Sequence, residues 1–181
     1  MSHADIVVRR FQSSDIDNLI VLYQACFAEP PWFESFDPKA LTAKFTEAAS
    51  WPDAVFLVAA QRNEVVGGTI GFDFSRKTDL ASLIQTKIKP CFYLSELFVA
   101  ASMRRQGIAD ALMRERFIRA RGNGYIKAVV RTSINQPIIR SIYERLSFQV
   151  VATQEVESIK MVNRAPVMAR DQRIILAGNI P

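Results

Sequence analysis

A short basic turn, residues 103–110 (Met-Arg-Arg-Gln-Gly-Ile-Ala-Asp), stands between a predicted strand and a predicted helix. The first turn of a helix has free backbone N–H groups and lies at the positive end of the helix dipole. Gly107 and Ala109 are small enough to let an anion approach those amides, and the two arginines before them add positive charge. The turn therefore predicts an anion site, most naturally for a pyrophosphate. It matches neither the P-loop nor the GxGxxG pattern, so a nucleoside triphosphate or a dinucleotide is not indicated.

The histidine and cysteine content limits the other chemistry that is open to the chain. The single histidine, His3, sits near the start of the chain, so a Ser-His or Cys-His nucleophile has no suitable partner. One histidine and two separated cysteines, Cys26 and Cys91, cannot form an ordinary zinc site, and we predict no metal. The cysteines are expected to be buried thiols in a reducing cytosol. Catalysis would have to use carboxylates, tyrosine, backbone amides or a bound cofactor.

The 181 residues are 49% hydrophobic and carry a net charge of +5, a balance typical of one globular domain covering residues 1–181. No apolar run approaches the roughly 20 residues that span a bilayer, and the start of the chain has no apolar signal region. These features favour a cytoplasmic protein without a membrane partner. The positive charge would also suit binding of a polyanionic cofactor.

The elements that must position the basic turn alternate along the chain. Apolar runs and alternation predict strands over residues 6–10, 54–60, 65–74, 92–100, 126–132, 148–156 and 172–177. Helical spacing predicts helices over residues 15–27, from Pro38 onward, and over 80–87, 106–121 and 136–146. We expect a loop with little pattern to join the last two strands. This order predicts a mixed sheet with helices on its faces.

The turn and the strand before it resemble the GNAT superfamily of acyl-CoA-dependent N-acetyltransferases. The signature of that family is Arg/Gln-x-x-Gly-x-Gly/Ala after a strand that ends in an aliphatic residue, any residue and valine. Arg104, Gly107 and Ala109 fill the signature. Leu97 and Val99 supply the end of the strand. The order of predicted elements agrees with the family across nearly the whole chain.

A second segment also resembles the family, in which an asparagine is followed eight residues later by tyrosine and then by Glu-x-Leu-Gly-Phe. Here the asparagine is Asn135, the tyrosine is Tyr143, and Ser147 replaces the usual glycine. A non-glycine residue at positive φ is disfavoured, so we expect the end of this helix to be rearranged. Val130 stands where some members carry a carboxylate base, so the base must lie elsewhere or be a water.

The resemblance implies an α/β (α+β) fold and a co-substrate. The expected fold is a mixed, mostly antiparallel sheet of six to seven strands, with helices on both faces and strands 4 and 5 splayed around acetyl-CoA. The expected reaction is transfer of an acetyl group from acetyl-CoA to a primary amine by direct attack in a ternary complex. The implied coenzyme A contacts, largely through the backbone, are Leu97, Phe98, Val99, Arg104, Arg105, Gln106, Gly107, Ile108, Ala109, Asp110 and Asn135.

Tyr143 and Glu96 are the predicted catalytic residues. In the family, the tyrosine protonates the departing coenzyme A thiolate, which is basic and needs a weak acid to leave; a half-buried packing role is the alternative. Glu96 is a carboxylate in an otherwise apolar strand, where burial without a partner is costly. An acidic residue at this position resembles the polyamine-acetylating members, so Glu96 is either a base, direct or through water, or half of an internal ion pair.

Trp32 and Glu34 are predicted to line the acceptor site, since the segment between the first two helices does so in the family; an ordinary exposed loop is the alternative. The expected acceptor is a small cationic amine. A protein N-terminus or a lysine is the other possible acceptor. The oligomeric state stays open between a monomer and a homodimer.

Two other classes of function compete with an enzyme. A non-catalytic acyl-CoA-binding protein would not need the tyrosine. A nucleic-acid-binding module is suggested by the basic composition and by the arginines of the helix over 106–121. Arg114 and Arg119 diverge by about 140° around a helix, so they form no single basic stripe. We therefore expect no nucleic-acid partner.

Overall fold

The strands of a computed structural model, which describes residues 6–84 and 90–181, form one seven-stranded sheet in the order β1-β2-β3-β4-β5-β7-β6. Their bounds are β1 (Ile6–Arg10), β2 (Val55–Gln61), β3 (Glu64–Asp73), β4 (Cys91–Val99), β5 (Lys127–Ser133), β6 (Gln149–Val162) and β7 (Ala165–Asn179). The helices are α1 (Ile16–Phe27), α2 (Pro38–Ser50), α3 (Thr78–Ala81), α4 (Ile108–Gly122) and α5 (Pro137–Arg145). The mixed, mostly antiparallel sheet and the order of its elements confirm the predicted fold.

The one parallel contact among the described strands, between β4 and β5, is short. It starts where Cys91 lies beside Lys127 and ends where Leu94 lies beside Val130. Beyond that point β4 and β5 separate, which confirms the predicted splay. A gap between two adjacent strands exposes backbone groups that would otherwise pair, so this is the part of the sheet that can accept another extended segment.

Two apolar cores hold the helices against opposite faces of the sheet. One contains buried side chains of α1 and α2, such as Leu19 and Phe45. The other contains buried side chains of α4 and α5, such as Leu112 and Tyr143. Asp37 caps α2 by accepting a hydrogen bond from the amide of Ala40 at 3.0 Å. The gap between β4 and β5 is therefore flanked by α1 and α2 on one face and by α4 and α5 on the other.

The segment between residues 156 and 172 is not a loop, and this expectation was wrong. β6 and β7 form one long hairpin, in which Val162 pairs with Ala165 across a two-residue turn. Asn163 and Arg164 have φ of 51° and 64°, the backbone that a tight hairpin turn of the primed type requires. β5 pairs only with the last part of β7, from Arg173 onward. Apolar side chains in the outer part of the hairpin, such as Ile159 and Val167, are exposed, so the burial-driven alternation that reveals a strand is weak there.

The end of α5 is not rearranged, contrary to expectation. Ser147 adopts a φ of 64°. Its amide donates to the carbonyl of Glu144 at 2.9 Å, and the amide of Phe148 donates to the carbonyl of Tyr143 at 3.0 Å. These are the two hydrogen bonds of a Schellman cap, so they hold serine in the conformation that glycine normally takes.

Two further boundaries differ from the sequence prediction. The helix expected over residues 80–87 is observed as α3, which ends at Ala81, and residues 85–87 lie outside the described residues. α5 begins at Pro137 with Gln136 as its N-cap, so Asn135 lies in the turn before the helix. None of the described helices is both long and apolar enough to cross a membrane.

Candidate active site

A β-bulge in β4 sets the direction of the candidate catalytic carboxylate. The register between β3 and β4 shifts at Ser95, which is an extra residue in β4. A bulge of this kind moves the following side chains to the other face of the strand. Glu96 consequently faces α1 and α2, where it contacts Lys44, whereas Leu97 packs in the core beside α4. Glu96 and Leu97 point to opposite faces, as predicted.

A cavity of about 880 Å³ opens where β4 and β5 separate. Of the predicted site residues, those that line it are Trp32, Glu34, Glu96, Leu97, Phe98, Val99, Arg104, Ala109, Asp110 and Tyr143. Those that do not line it, within the described part of the chain, are Arg105, Gln106, Gly107, Ile108 and Asn135. The cavity brings the predicted acid, the predicted carboxylate and the predicted acceptor residues to one place.

The turn before α4 leaves the first helical amides accessible. Gly107 is the N-cap, has φ of +78°, and a Cβ built on it meets no described atom within 4 Å. Arg105 also lies in the left-handed region, with φ of 61°. The amides of a first helical turn lack intrahelical partners and face the positive end of the helix dipole. The open space above Gly107 leaves room for a pyrophosphate to approach them, and anion binding there stays a prediction.

The side chain of Arg104 contacts other groups of the protein, Glu29 and the carbonyl of Val99. Its Nη2 forms an ion pair with Glu29 Oε2 at 2.6 Å, and its Nε donates to the carbonyl of Val99 at 3.1 Å. The carbonyl of Val99 also accepts a hydrogen bond from Cys26 Sγ at 3.5 Å. Arg104 therefore fixes the end of β4 against the end of α1, and its charge is balanced by Glu29.

The edge of β4 that faces the gap is available for pairing. After Leu94, no described strand pairs with that edge. An extended ligand with amide groups can add to such an edge as an extra strand, which is how the pantetheine arm of acetyl-CoA is expected to bind. The carbonyl of Val99 is already occupied, so the available groups lie earlier in the strand.

Tyr143 is held by a buried arginine that the sequence analysis did not select. The Tyr143 side chain is 3% exposed, and its hydroxyl accepts a hydrogen bond from Arg116 Nη2 at 3.1 Å. Arg116 is fully buried on α4, at the same helical face as Leu112 and Ala120. That spacing placed Arg116 in the core stripe of α4. An arginine inside an apolar stripe was the signal that could have identified it.

Glu96 forms an internal ion pair at the acceptor face. Its Oε1 accepts from Lys44 Nζ at 2.7 Å, and Lys44 Nζ also donates to the hydroxyl of Tyr23 at 3.0 Å. Burial, with a further contribution from the charge of Glu96, raises the pKa of the Tyr23 phenol well above its ordinary value. Tyr23 is therefore neutral, and its hydroxyl can only form hydrogen bonds at the cavity wall. The ion-pair alternative for Glu96 is present, and its action as a base stays a prediction.

The acceptor end of the cavity joins the segment after α1 to β7. Arg173 stacks over the ring of Trp32 at 4.6 Å and approaches Glu34 Oε1 at 3.7 Å. Burial raises the pKa of the Glu34 carboxyl above its ordinary value, although the charges of Arg173 and Lys160 oppose this. Arg173 was missed because the residues that it contacts at the cavity wall, Trp32 and Glu34, are distant in sequence. The predicted pair Trp32 and Glu34 does lie at the cavity wall.

A buried aspartate supports the turn that carries Asn135. Asp171 is 3% exposed, contacts Arg173 Nε at 2.6 Å, and accepts from Ser133 Oγ at 2.8 Å. Ser133 Oγ in turn accepts from the amide of Asn135 at 3.1 Å. Asn135 is exposed in the turn after β5. The turn is thus tied to β7, and a contact between Asn135 and the coenzyme A arm stays a prediction. Residues 6–84 and 90–181 contain no group of three His, Cys, Asp or Glu side chains that could hold a metal ion.

Comparisons with known proteins identify the family and the architecture. The sequence model of the Acetyltransferase (GNAT) family matches residues 19–148. A curated relative, GCN5-related N-acetyltransferase 6, chloroplastic, from Arabidopsis thaliana, is 34% identical over 67 residues. That match covers 37% of this chain and 23% of the relative, so it spans less than a quarter of that protein.

Solved structures share the fold at low sequence identity. Ribosomal-protein-alanine N-acetyltransferase from Brucella melitensis has a TM-score of 0.72 at 14% identity, over 96% of this chain and 99% of that chain. Arabidopsis thaliana NAA60, in complex with a bisubstrate analogue, has a TM-score of 0.64 at 18% identity, over 97% and 98% of the two chains. At these identities the likeness shows the architecture alone. Because the family model covers most of the chain and the splayed sheet has the expected order, this chain belongs to the GNAT acetyltransferase family.

Proposed function

We propose that this enzyme transfers an acetyl group from acetyl-CoA to the primary amine of a small cationic acceptor by direct attack in a ternary complex. The observation that carries this proposal is the placement of two groups on opposite faces of the β4–β5 gap. Glu96 reaches the face of α1 and α2, and the hydroxyl of Tyr143 lies in the core beside α4 and α5. An amine entering on the first face and a thiol leaving on the second would meet these groups in the required order.

The roles of the two groups follow from the proton balance of the reaction. The acceptor ammonium must lose a proton before its nitrogen can attack the thioester carbonyl, and Glu96 is positioned to receive it directly or through water. The attacking nitrogen releases its second proton to water, and the tetrahedral intermediate expels the coenzyme A sulfur, which needs a proton. The hydroxyl of Tyr143 can supply a proton to the sulfur, because Tyr143 lines the same cavity. Backbone N–H groups at the free edge of β4 would stabilise the negative oxygen of the intermediate.

A small acceptor is favoured by two contacts that bridge the acceptor end of the cavity. Lys160 Nζ donates to the carbonyl of Pro31 at 2.7 Å, and the amide of Met161 donates to the carbonyl of Phe33 at 2.6 Å. The β6–β7 hairpin is thereby joined to the segment after α1. An extended polypeptide would have to break this bridge, whereas a small amine would not.

A cationic acceptor is favoured by the composition of the wall. Trp32, Phe27 and Phe36 supply aromatic faces, which attract cations, and Glu34 and Glu96 supply carboxylates. Both carboxylates already contact a cation of the protein, Arg173 and Lys44 respectively. The acceptor ammonium is expected to compete with Lys44, whose side chain is 40% exposed and can move into solvent.

The test is thiol release from acetyl-CoA against a panel of acceptors at equal concentration. The panel contains polyamines, aminoglycosides, free amino acids and peptides with a free N-terminus or a lysine. Saturable release with polyamines or other small cations, and little with peptides, is the expected result. Preference for a peptide would replace the small-amine acceptor with a protein one. Intact-mass measurement separates acceptor acetylation from self-acetylation, and no turnover with any amine would overturn the proposed function.

A further inference from the structure

A charged side chain occupies a core position of α4 that an apolar residue would normally fill. Arg116 is 0% exposed, and its helical neighbours Leu112, Phe117 and Ala120 form part of the apolar core. Within residues 6–84 and 90–181, its hydrogen bonds go to neutral oxygens, and its Nε has no partner. A buried charge without a counter-charge is expensive. The cost of burying Arg116 indicates that this residue has a role other than packing.

The contacts of Arg116 converge on the proposed reaction centre. Nη1 donates to Thr69 Oγ1 at 2.8 Å and to the carbonyl of Glu96 at 3.0 Å. Nη2 donates to the hydroxyl of Tyr143 at 3.1 Å. One guanidinium therefore connects β3, the bulged part of β4 and α5. The planar group fixes the direction of each of these hydrogen bonds.

The hydrogen-bonding capacity of arginine decides what the tyrosine can do. A guanidinium has five donors and no acceptor, whereas a phenol has one donor and two acceptor positions. At the Arg116–Tyr143 contact the arginine must therefore donate and the tyrosine oxygen must accept. The phenolic proton is left for another partner, and Tyr143 lines the cavity. We infer that Arg116 is a positioning residue that aims the proton of Tyr143 at the departing sulfur.

The charge of Arg116 acts on the same step. Proton transfer moves hydrogen from the Tyr143 oxygen to the coenzyme A sulfur, which leaves a free thiol and a phenolate; the phenolate regains a proton from water after the products leave. A positive group at 3.1 Å from that oxygen is better matched to the phenolate than to the phenol. An interaction that strengthens as charge develops lowers the barrier.

This inference rests on the proposed acetyl transfer, and a double-mutant cycle tests it separately. Arg116→Met keeps the approximate length of the side chain and removes its donors and charge. It should lower kcat by roughly tenfold to hundredfold, with little change in the KM for acetyl-CoA. In a Tyr143→Phe background the same substitution should change kcat by roughly twofold or less, because two residues that act as one unit are not additive.

Two further variants separate aiming of the proton from support of the fold. Arg116→Lys retains a charged group that can only donate and should recover part of the kcat lost in Arg116→Met. Thr69→Val removes a partner of Nη1 without touching Tyr143 and should reduce kcat less than Arg116→Met does. Circular dichroism, melting temperature and acetyl-CoA binding by calorimetry show which variants are folded. If Arg116→Met does not fold, Arg116→Lys replaces it in the double-mutant cycle with Tyr143→Phe.

The outcomes distinguish this inference from the proposed function. Full additivity of the Arg116 and Tyr143 substitutions, or an equal loss in Thr69→Val, would make Arg116 a structural residue of the bulge and overturn the inference. Failure of both Arg116 variants to fold would do the same. Wild-type enzyme that releases no thiol with any amine would instead overturn the proposed function, and this inference with it.

Discussion

The cavity has two halves, one proposed to bind coenzyme A and one proposed to bind the acceptor, and they differ in which groups of the protein form them. The proposed coenzyme A half consists mainly of backbone: the free edge of β4 in the cavity and, beside the cavity, the first amides of α4 after Gly107. The acceptor half consists of side chains in ion pairs, such as Lys44 with Glu96 and Arg173 with Glu34. A half made of backbone can hold the same ligand in many sequences, whereas a half made of charged side chains changes with each substitution. This difference explains why the acyl donor can be inferred from the family, whereas the acceptor depends on the side chains of this particular chain.

The largest expected effect lies where the two halves meet. Tyr143→Phe deletes one hydroxyl and keeps the ring, so acetyl-CoA should still bind. Loss of the general acid should lower kcat by about 10²–10⁴-fold. The substitution also leaves Arg116 Nη2 without its buried partner, which should reduce the stability by about 1–3 kcal/mol.

Kinetics of Tyr143→Phe should therefore be measured well below its melting temperature, beside calorimetry of acetyl-CoA binding. If kcat is unchanged while the protein is less stable, then water protonates the thiolate and the hydroxyl serves only Arg116.

The coenzyme A half is tested by a pair of glycines at the two ends of α4. Gly107 and Gly124 both have positive φ, +78° and +88°, and a Cβ on either meets no described atom within 4 Å. Valine at either position imposes a strain of about 1–3 kcal/mol. Only at Gly107 would the side chain also stand over the amides of the first helical turn, so Gly107→Val should weaken acetyl-CoA binding by roughly tenfold or more, a cost of at least 1.4 kcal/mol.

Gly124→Val is the matched control, because it carries the same strain away from the cavity. Calorimetry should show normal affinity in this variant and a melting temperature similar to that of Gly107→Val. Equal affinity in the two variants would place the anion site elsewhere.

The accuracy of the sequence prediction also differs between regions of the molecule, as the two hairpin turns show. The hairpin turn at Arg62 and Asn63 was predicted because apolar strands flank it, whereas the turn at Asn163 and Arg164, which also has positive φ at both residues, was not. The second turn lies between strand ends whose apolar side chains, such as Met161 and Val167, are exposed, and β6 is only partly buried along one face. Periodicity reports burial rather than backbone hydrogen bonding, so it cannot detect a strand of this kind.

The candidate site shows the same pattern. The turn before α4 could be predicted because its chemistry depends on adjacent residues. The acceptor half depends on contacts such as Lys160 with Pro31, 129 residues apart in the chain, and these exist only after folding. Arg116 is the intermediate case: its place in the core stripe of α4 could be predicted from the sequence, but its contact with Tyr143 could not. Local patterns thus identify groups, and the tertiary structure decides what each group contacts.

A smaller effect is expected at the carboxylate of the acceptor half. Glu96→Gln keeps the size of the side chain and removes its capacity to accept a proton. The rate should fall by roughly tenfold, less than the loss of about 10²–10⁴-fold that is typical of a lost general base, because water can also accept the proton. It should fall most at low pH, where the acceptor amine is largely protonated. The loss of stability should be small, because Lys44 can return to water.

The measurement for Glu96→Gln is kcat/KM against pH for the best amine of the panel. Glu64→Gln, an exposed carboxylate at the start of β3, is the control and should follow the wild type. Parallel pH profiles for Glu96→Gln and the wild type would assign Glu96 to the ion pair alone.

The smallest expected effect concerns Glu34, whose carboxyl has a raised pKa because it is buried. A folded-state pKa above the unfolded value means that the native state binds the proton more tightly, so this group opposes folding increasingly as the pH rises through that range. Asp15 is the opposite case, since its hydrogen bonds with Arg9 lower its pKa. Glu34→Gln should therefore gain melting temperature relative to the wild type between about pH 4 and pH 7, whereas Asp15→Asn should lose it over the same range. Both differences should shrink at low pH, where wild-type carboxyls are protonated. If Glu34→Gln instead loses stability as the pH rises, the attraction of Arg173 outweighs burial, and the acceptor half is held together by that ion pair.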